Sequence, residues 1–496
     1  MIDIANVLNS LTLTLPLIVL TAWACALLVV DLFIPKDRKG WMALLSALGF
    51  LVALAFVIMN YGRGGAAFGG MAVVDRFSNF LSILLLASGL AGVALAYDYL
   101  KRSGLESGEY YTLLMFSIVG MMLMGMSADL IMVFLALELL SIPLYVLAGL
   151  AVPRLSSEEA AIKYFLLGAF ASSFFVYGTA LVYGATGTTS LKEIVTWVGA
   201  TSGDRSQLLI GAALILVGLG FKVAAVPFHM WTPDVYHGAP TSVTAFMAVG
   251  AKVAGFAALL RVFVLAFPQL SMDLSPVLWA LAALTMIVGN VVAVAQRNIK
   301  RLLAYSSIAH AGYILMALVP YGQGEVAAQS VASALFYLVA YAFTNFAAWA
   351  VVIALECQPE ENCAAEPAGG KGLQLEDYAG LGRKHPALAA VMAVAMLSFT
   401  GVPPMLGFVG KFYLFRTAIQ GGYIGLALIG VLTSLISAYY YLRVIVIMYM
   451  QDGEPVVRRE AWLYLAAYAT GICTVVLSIF SAPLFLWVSQ AVLQLF

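Results

Sequence analysis

Fourteen apolar stretches run through this chain, most of them long enough to cross a lipid bilayer, and no other feature restricts its fold as tightly. A hydrocarbon core about 30 Å thick takes roughly 20 apolar residues in helical form. Runs of that kind lie near residues 11–34, 41–60, 74–98, 110–126, 128–150, 161–184, 207–235, 240–267, 275–295, 302–320, 328–356, 387–420, 421–449 and 461–489. The expected fold is therefore all-α and polytopic, with about fourteen transmembrane helices. A soluble alternative fails on polarity. Charged residues make up 10% of the chain, against roughly 25% in ordinary soluble domains. The first run, Leu11 to Phe33, spans without a basic leader, which reads as a retained helix and not a cleaved signal.

Basic residues set the orientation. Loops after odd-numbered spans hold Lys36, Arg38, Lys39, Lys101, Arg102, Arg154, Lys163, Arg297, Lys300, Arg301, Lys371, Arg383, Lys384, Arg458 and Arg459. Loops after even-numbered spans hold Arg63, Lys192 and Arg205. The positive-inside rule then puts the odd loops in the cytoplasm and both termini on the outer, periplasmic side of a bacterial inner membrane.

The spans also divide into two blocks. A three-helix segment (1–109) precedes a five-helix block (110–267), a second five-helix block (275–449) and a final span (450–496). An odd number of spans reverses direction between copies, so the two blocks read as inverted repeats. The fourth span of each is interrupted. Span seven contains Gly220-Phe221-Lys222 followed by Pro227; span twelve contains Gly401-Val402-Pro403-Pro404, then Gly407, Gly410 and Lys411. Broken helices at matching places in inverted halves point to a transport site near the midplane.

Charges inside the spans sharpen that reading. A cation at the centre of a span is unfavourable by about 2.5–3.5 kcal/mol on insertion scales, so each one calls for a reason. Glu138, Lys222, Lys252 and Lys411 lie within apolar sequence, as does His310. With the hydroxyls of Ser306, Ser307, Tyr337 and Tyr341, they provide the groups a proton relay needs. A structural reading competes at each position: Glu138 and Lys222 as a static ion pair, His310 as a hydrogen-bonded core residue. Arg261, Arg416 and Arg443 are placed near span ends, where a long side chain reaches the interface. Positive and negative residues balance at 25 each, which gives no sign of nucleic-acid binding. No Fe–S cysteine pattern, dinucleotide fingerprint or P-loop is present, and Cys357 and Cys363 lack a standard zinc spacing. The chain is expected to move ions and not electrons, without a cofactor or metal of its own.

Four stretches carry a family resemblance. They are LELLSIPL (Leu137–Leu144), GFKVAAVPFHMWTPDVY (Gly220–Tyr236), NIKRLLAYSS (Asn298–Ser307) and GVPPMLGFVGKF (Gly401–Phe412). They resemble the fifth, seventh, tenth and twelfth helices of the antiporter-like membrane subunits of respiratory complex I, the proton-pumping NADH:quinone oxidoreductase. Lys411, the WTPDVY run and an end without a long lateral helix make the chain most similar to the chain N type. The resemblance implies a translocase subunit that couples quinone reduction elsewhere to proton movement. By position, Glu138 and Lys222 become the coupled pair, Lys252 the central relay and Lys411 the terminal group, with His310 a weaker member. NADH, FMN, Fe–S clusters and quinone are then expected in partner subunits. The expected partners are chain K-like and chain M-like neighbours, the lateral helix of a chain L-like subunit and the bilayer. The alternatives are a subunit of a cation/proton antiporter and a structural spacer of the membrane arm. His237 stands where Gln or Glu is expected, and the Cys357–Pro386 loop is unusually long.

Overall fold

The computed structural model describes residues 4–35, 38–200, 204–357 and 372–492. Helices α1 (Ile4–Leu13), α2 (Leu15–Asp31) and α3 (Gly40–Met59) open the chain. A hairpin of β1 (Gly65–Ala67) and β2 (Ala72–Val74) follows, paired antiparallel with Gly65 opposite Val74. Then come α4 (Arg76–Arg102), α5 (Gly108–Met126), α6 (Leu130–Ala148), α7 (Leu155–Thr186) and α8 (Leu191–Ala200). The middle of the chain forms α9 (Ser206–Lys222), α10 (Trp231–Gly238), α11 (Thr241–Ala266), α12 (Ser271–Val294), α13 (Ile299–Leu318) and α14 (Glu325–Leu355). The last part forms α15 (Leu381–Lys384), α16 (Pro386–Thr400), α17 (Leu406–Gln420), α18 (Ile424–Met450), α19 (Ala461–Ile479) and α20 (Ser481–Ser489).

Among the described residues, ten helices are long and apolar enough to cross a membrane, or eleven if the bent α1–α2 pair is one span. The other three of the fourteen expected runs differ for physical reasons. Two coincide with helices that are broken: α9 with α10, and α16 with α17. The third is α13, whose apolar character is diluted by Lys300, Arg301, Ser306, Ser307 and His310. The departures from simple hydropathy thus fall on the elements that carry buried polar chemistry.

Burial shows how the molecule is layered. Helix α11 is buried along its whole length and α14 nearly so, although both consist of the same apolar residues as the outer helices. Helices α7 and α18 turn most of their surface outward, with Phe165, Phe170, Tyr177, Leu432 and Leu435 exposed. A helix that is apolar all round is stable in a protein core or in lipid; here α11 and α14 are the core, and the outer helices present apolar faces outward. Small residues let backbones approach. A Cβ on Gly120 would lie 2.4 Å from the Leu140 nitrogen, and one on Gly289 would lie 2.6 Å from the Ala309 nitrogen. Such contacts are the usual device for packing membrane helices.

Candidate functional site

Each break leaves backbone groups without helical partners, and the structure shows what takes them up. At the first, α9 ends on Lys222, and Ala224 adopts a left-handed φ of 62°. Ala225 N donates to Gly220 O at 2.8 Å, and Val226 N donates to Thr285 Oγ1 at 2.9 Å. The indole of Trp231, at the start of α10, donates to Phe221 O at 3.0 Å. At the second, α16 ends on Thr400 and Gly401 takes φ 85°, a conformation that favours glycine. Here the side chain of Lys411 does the work. Its Nζ donates to Phe399 O at 2.8 Å, Thr400 O at 3.0 Å and Ser434 Oγ at 2.7 Å. The unpaired carbonyls of a helix C-terminus carry partial negative charge. An ammonium placed among them exchanges water for fixed dipoles, which is how a cation is tolerated at this depth. Pro227, Pro403 and Pro404 lie in the two breaks, where their missing N–H groups remove no helical bond.

The three lysines are almost fully enclosed, at 3% exposure for Lys222 and Lys411 and 4% for Lys252. Lys222 Nζ donates to Ser141 Oγ at 2.8 Å and to Tyr164 OH at 3.2 Å, and it stands 5.3 Å from the Tyr164 ring centroid. Tyr164 is stacked on Trp231 with centroids 4.6 Å apart, so the break itself orients the group that holds the lysine. Lys252, on the unbroken α11, donates to the backbone oxygen of Ser307 and to Ser307 Oγ at 2.5 Å. Tyr341 OH donates to the same Ser307 Oγ at 2.8 Å, and its ring lies 5.1 Å from the ammonium. None of these cations has a carboxylate in ion-pair contact among the described residues. Hydroxyls, carbonyls and aromatic faces solvate them instead.

His310 joins the second half together. It is 3% exposed, with Nδ1 2.6 Å from Tyr337 OH and Nε2 3.0 Å from Tyr441 OH. Tyr441 OH also bonds Ser306 Oγ, the residue before Ser307 on α13. His310 and Lys411 meet a common wall: the imidazole packs 5.0 Å from Phe399 and 5.8 Å from Tyr313, while the ammonium lies 4.8 Å above the Tyr313 ring. Within the first half, the break packs on α11 at Gly255, one turn from Lys252. A Cβ there would stand 2.8 Å from Val223 Cγ1 and 3.5 Å from Lys222 Cγ.

Glu138 is placed differently. It is half-buried, and Ser172 on α7 donates to its Oε1 at 2.5 Å. It makes no ion pair with Lys222 among the described residues. Ser141, one turn along α6 from Glu138, stands at the ammonium instead. Residues three apart share a helix face, so this spacing was the available signal for Ser141. Tyr164, Ser434 and Tyr441 carry no such signal, because single hydroxyls are common in every span. Arg261 departs from its expected place near a span end. It is 1% exposed, and its Nη2 donates to Asp75 Oδ1 at 2.9 Å. Arg416 is exposed, and Arg443 donates to the Val294 and Gln296 carbonyls. Residues 358–371 of the Cys357–Pro386 loop, Cys363 among them, lie outside the described residues.

Comparison with known proteins gives a consistent picture. Residues 127–437 match the family described as NADH:quinone oxidoreductase/Mrp antiporter, transmembrane. The chain is 48% identical over 459 residues to NADH-quinone oxidoreductase subunit N of Trichlorobacter lovleyi, covering 91% of each. It is 45% identical over 491 residues to the subunit N of Chloroflexus aggregans, covering 98% of each. Among solved structures it is similar to a chain of respiratory complex I from Thermus thermophilus with bound Aureothin. That likeness has a TM-score of 0.80 and 36% identity over 96% of this chain and 99% of the other.

Proposed function

We propose a function from one premise: the chain belongs to the NADH:quinone oxidoreductase/Mrp antiporter transmembrane family. It is an antiporter-like, proton-translocating membrane subunit of an NADH-quinone oxidoreductase of the complex I type. The protein therefore acts as part of a larger complex whose other subunits are its partners. In our reading these include chain K-like and chain M-like neighbours and a lateral helix from a chain L-like subunit. NADH, FMN, Fe–S clusters and quinone belong to those partners. The chain sits in a bacterial inner membrane with both termini outside, built from two inverted five-helix repeats (110–267 and 275–449).

The observation that carries the reading is the run of enclosed proton-holding groups across both halves. Lys222 packs at Gly255, one turn from Lys252, and Lys252 meets Ser307; Ser306, Tyr441 and His310 follow, and His310 shares the Tyr313 ring with Lys411. Glu138 is the entry charge, one turn from the hydroxyl that holds Lys222. Moving one proton against 100 mV takes about 2.3 kcal/mol. A unit charge displaced about 10 Å from an ammonium, at an effective dielectric near 20, changes its energy by about 1–2 kcal/mol. A charge shift near Glu138 in a neighbouring subunit thus supplies a large part of that energy, and a change in desolvation of the ammonium adds to it. The breaks at Pro227 and at Pro403–Pro404 let half-helices tilt while their carbonyls keep partners.

The spacer alternative is separated by Lys252→Ala in the assembled complex. We expect NADH-driven proton uptake into vesicles to fall several-fold per electron transferred. An unchanged ratio would return Lys252 to a packing role. The antiporter alternative predicts sodium-dependent transport without NADH oxidation, and the subunit N relatives spanning nearly the whole chain favour the redox-coupled reading.

A further inference from the structure

One enclosed charge has no place in this relay. Arg261 lies on α11, nine residues beyond Lys252, which at 1.5 Å per residue is about 14 Å along the axis. The eight residues between them, Val253 to Leu260, are apolar and buried. The guanidinium is held on three sides. Its Nη2 donates to Asp75 Oδ1 at 2.9 Å, its Nε donates to Gly125 O at 2.9 Å in the last turn of α5, and its Cζ lies 5.0 Å from the Phe77 ring centroid. Asp75 is itself fixed as the N-cap of α4, taking Ser78 N on Oδ1 at 2.7 Å while Ser78 Oγ receives the Asp75 N–H at 2.9 Å. The pair is asymmetric: the arginine side chain is 1% exposed and the aspartate 31%. The carboxylate therefore faces outward, and the cation lies behind it on the helix that leads to Lys252.

We propose that Arg261 is a fixed-charge seal that closes the first half of the protein to protons from the outer side. The proposal rests on the proton-translocating reading and on the orientation given above. A relay residue must release its proton, and a guanidinium does not do so at any working pH. What it can do is hold a fixed positive charge behind the Asp75 carboxylate, where the chain leaving the hairpin meets α11. Positive groups exclude protons and cations in this way in other membrane pores. The positive N-terminus of α4, which starts beside Asp75, adds to the same field. A buried ion pair adds little stability compared with apolar packing, so simple stapling gives no strong reason to keep an arginine here. A pump needs such a barrier. If Lys252 were open to the outer side as well as to Lys222, protons would run back through the first half.

The test is passive proton entry into phospholipid vesicles holding the whole complex, read with a trapped pH dye after an acid step outside, with NADH absent. Arg261→Gln keeps donors for Gly125 O and Asp75 but removes the charge; we expect influx to rise at least fivefold over wild type. Arg261→Met with Asp75→Asn removes both charges without orphaning the carboxylate, and it leaks likewise. Asp75→Asn alone keeps the cation and an N-cap, and it stays at the wild-type rate. Wild-type influx in the Gln variant would overturn the seal. So would equal leak, or equal loss of assembled complex, in Gln and Asn, since a staple depends on both partners alike. Lys222→Ala, carried in parallel under NADH, reports on the relay separately. A full proton-to-electron ratio there would end the relay reading without deciding the leak result.

Discussion

Tyr441 shows how much of the proposed path depends on single atoms. Its hydroxyl bonds both Ser306 and His310 Nε2, so Tyr441→Phe keeps the ring and removes the bridge. A buried polar group left without its partner is destabilised by about 1–3 kcal/mol. We expect coupled turnover to slow about tenfold, with the complex still assembled, measured as NADH-driven proton uptake against NADH oxidation. A Phe variant at wild-type rate would remove Tyr441 from the path. This residue was not legible beforehand, since it ends a run of three tyrosines, Tyr439 to Tyr441, and only the fold selects the one facing α13. The lysines were legible. An ammonium in an apolar run is conspicuous, and Lys222, Lys252 and Lys411 are indeed enclosed. Glu138 was legible by position but not by face. Helix α6 is apolar on every side, so nothing in the pattern shows that the carboxylate lies half-exposed beside Ser172.

The broken helices are the elements on which the reading depends, and their glycines can be tested. Gly407, at the start of α17, lies so close to α16 that a Cβ would stand 1.9 Å from Ser398 O. Its N–H donates to Ser398 Oγ at 3.1 Å, tying the two half-helices together across the break. Gly407→Ala must push backbone against backbone. Overpacking of this kind destabilises by about 1–3 kcal/mol, and we expect less assembled complex and earlier heat-induced loss of it. Wild-type thermal stability would mean the break is looser than the structure indicates. Pro and Gly together marked both breaks in the sequence, but not their function as binding sites. That Lys411 would bond the carbonyls of Phe399 and Thr400 follows from the chain folding back over Gly401, which composition does not encode. Three of the fourteen expected runs fall outside the ten or eleven sufficiently apolar helices among the described residues, because two cross a break and the third carries the polar residues of α13.

Taken whole, the molecule places its polar groups along a buried axis and its apolar side chains around it. Helices α11 and α14 supply the centre, and the outward faces of α7 and α18 meet lipid or neighbouring subunits. Arg261 shows where reading from the sequence falls short at this level. Five residues from the end of a span looks like snorkelling distance, yet the end itself is covered, because the chain entering α4 brings Asp75 over it. In the function we propose, an enclosed lysine beside the first break carries protons and does more than hold helices together. The direct measurement is the proton-to-electron ratio of the intact complex in vesicles, with Lys222→Ala and Lys222→Arg beside wild type. We expect assembled complexes in which both variants lose most proton uptake per electron, the arginine because it keeps its charge but does not release its proton. A full ratio in the alanine variant, or in the arginine variant, would contradict it.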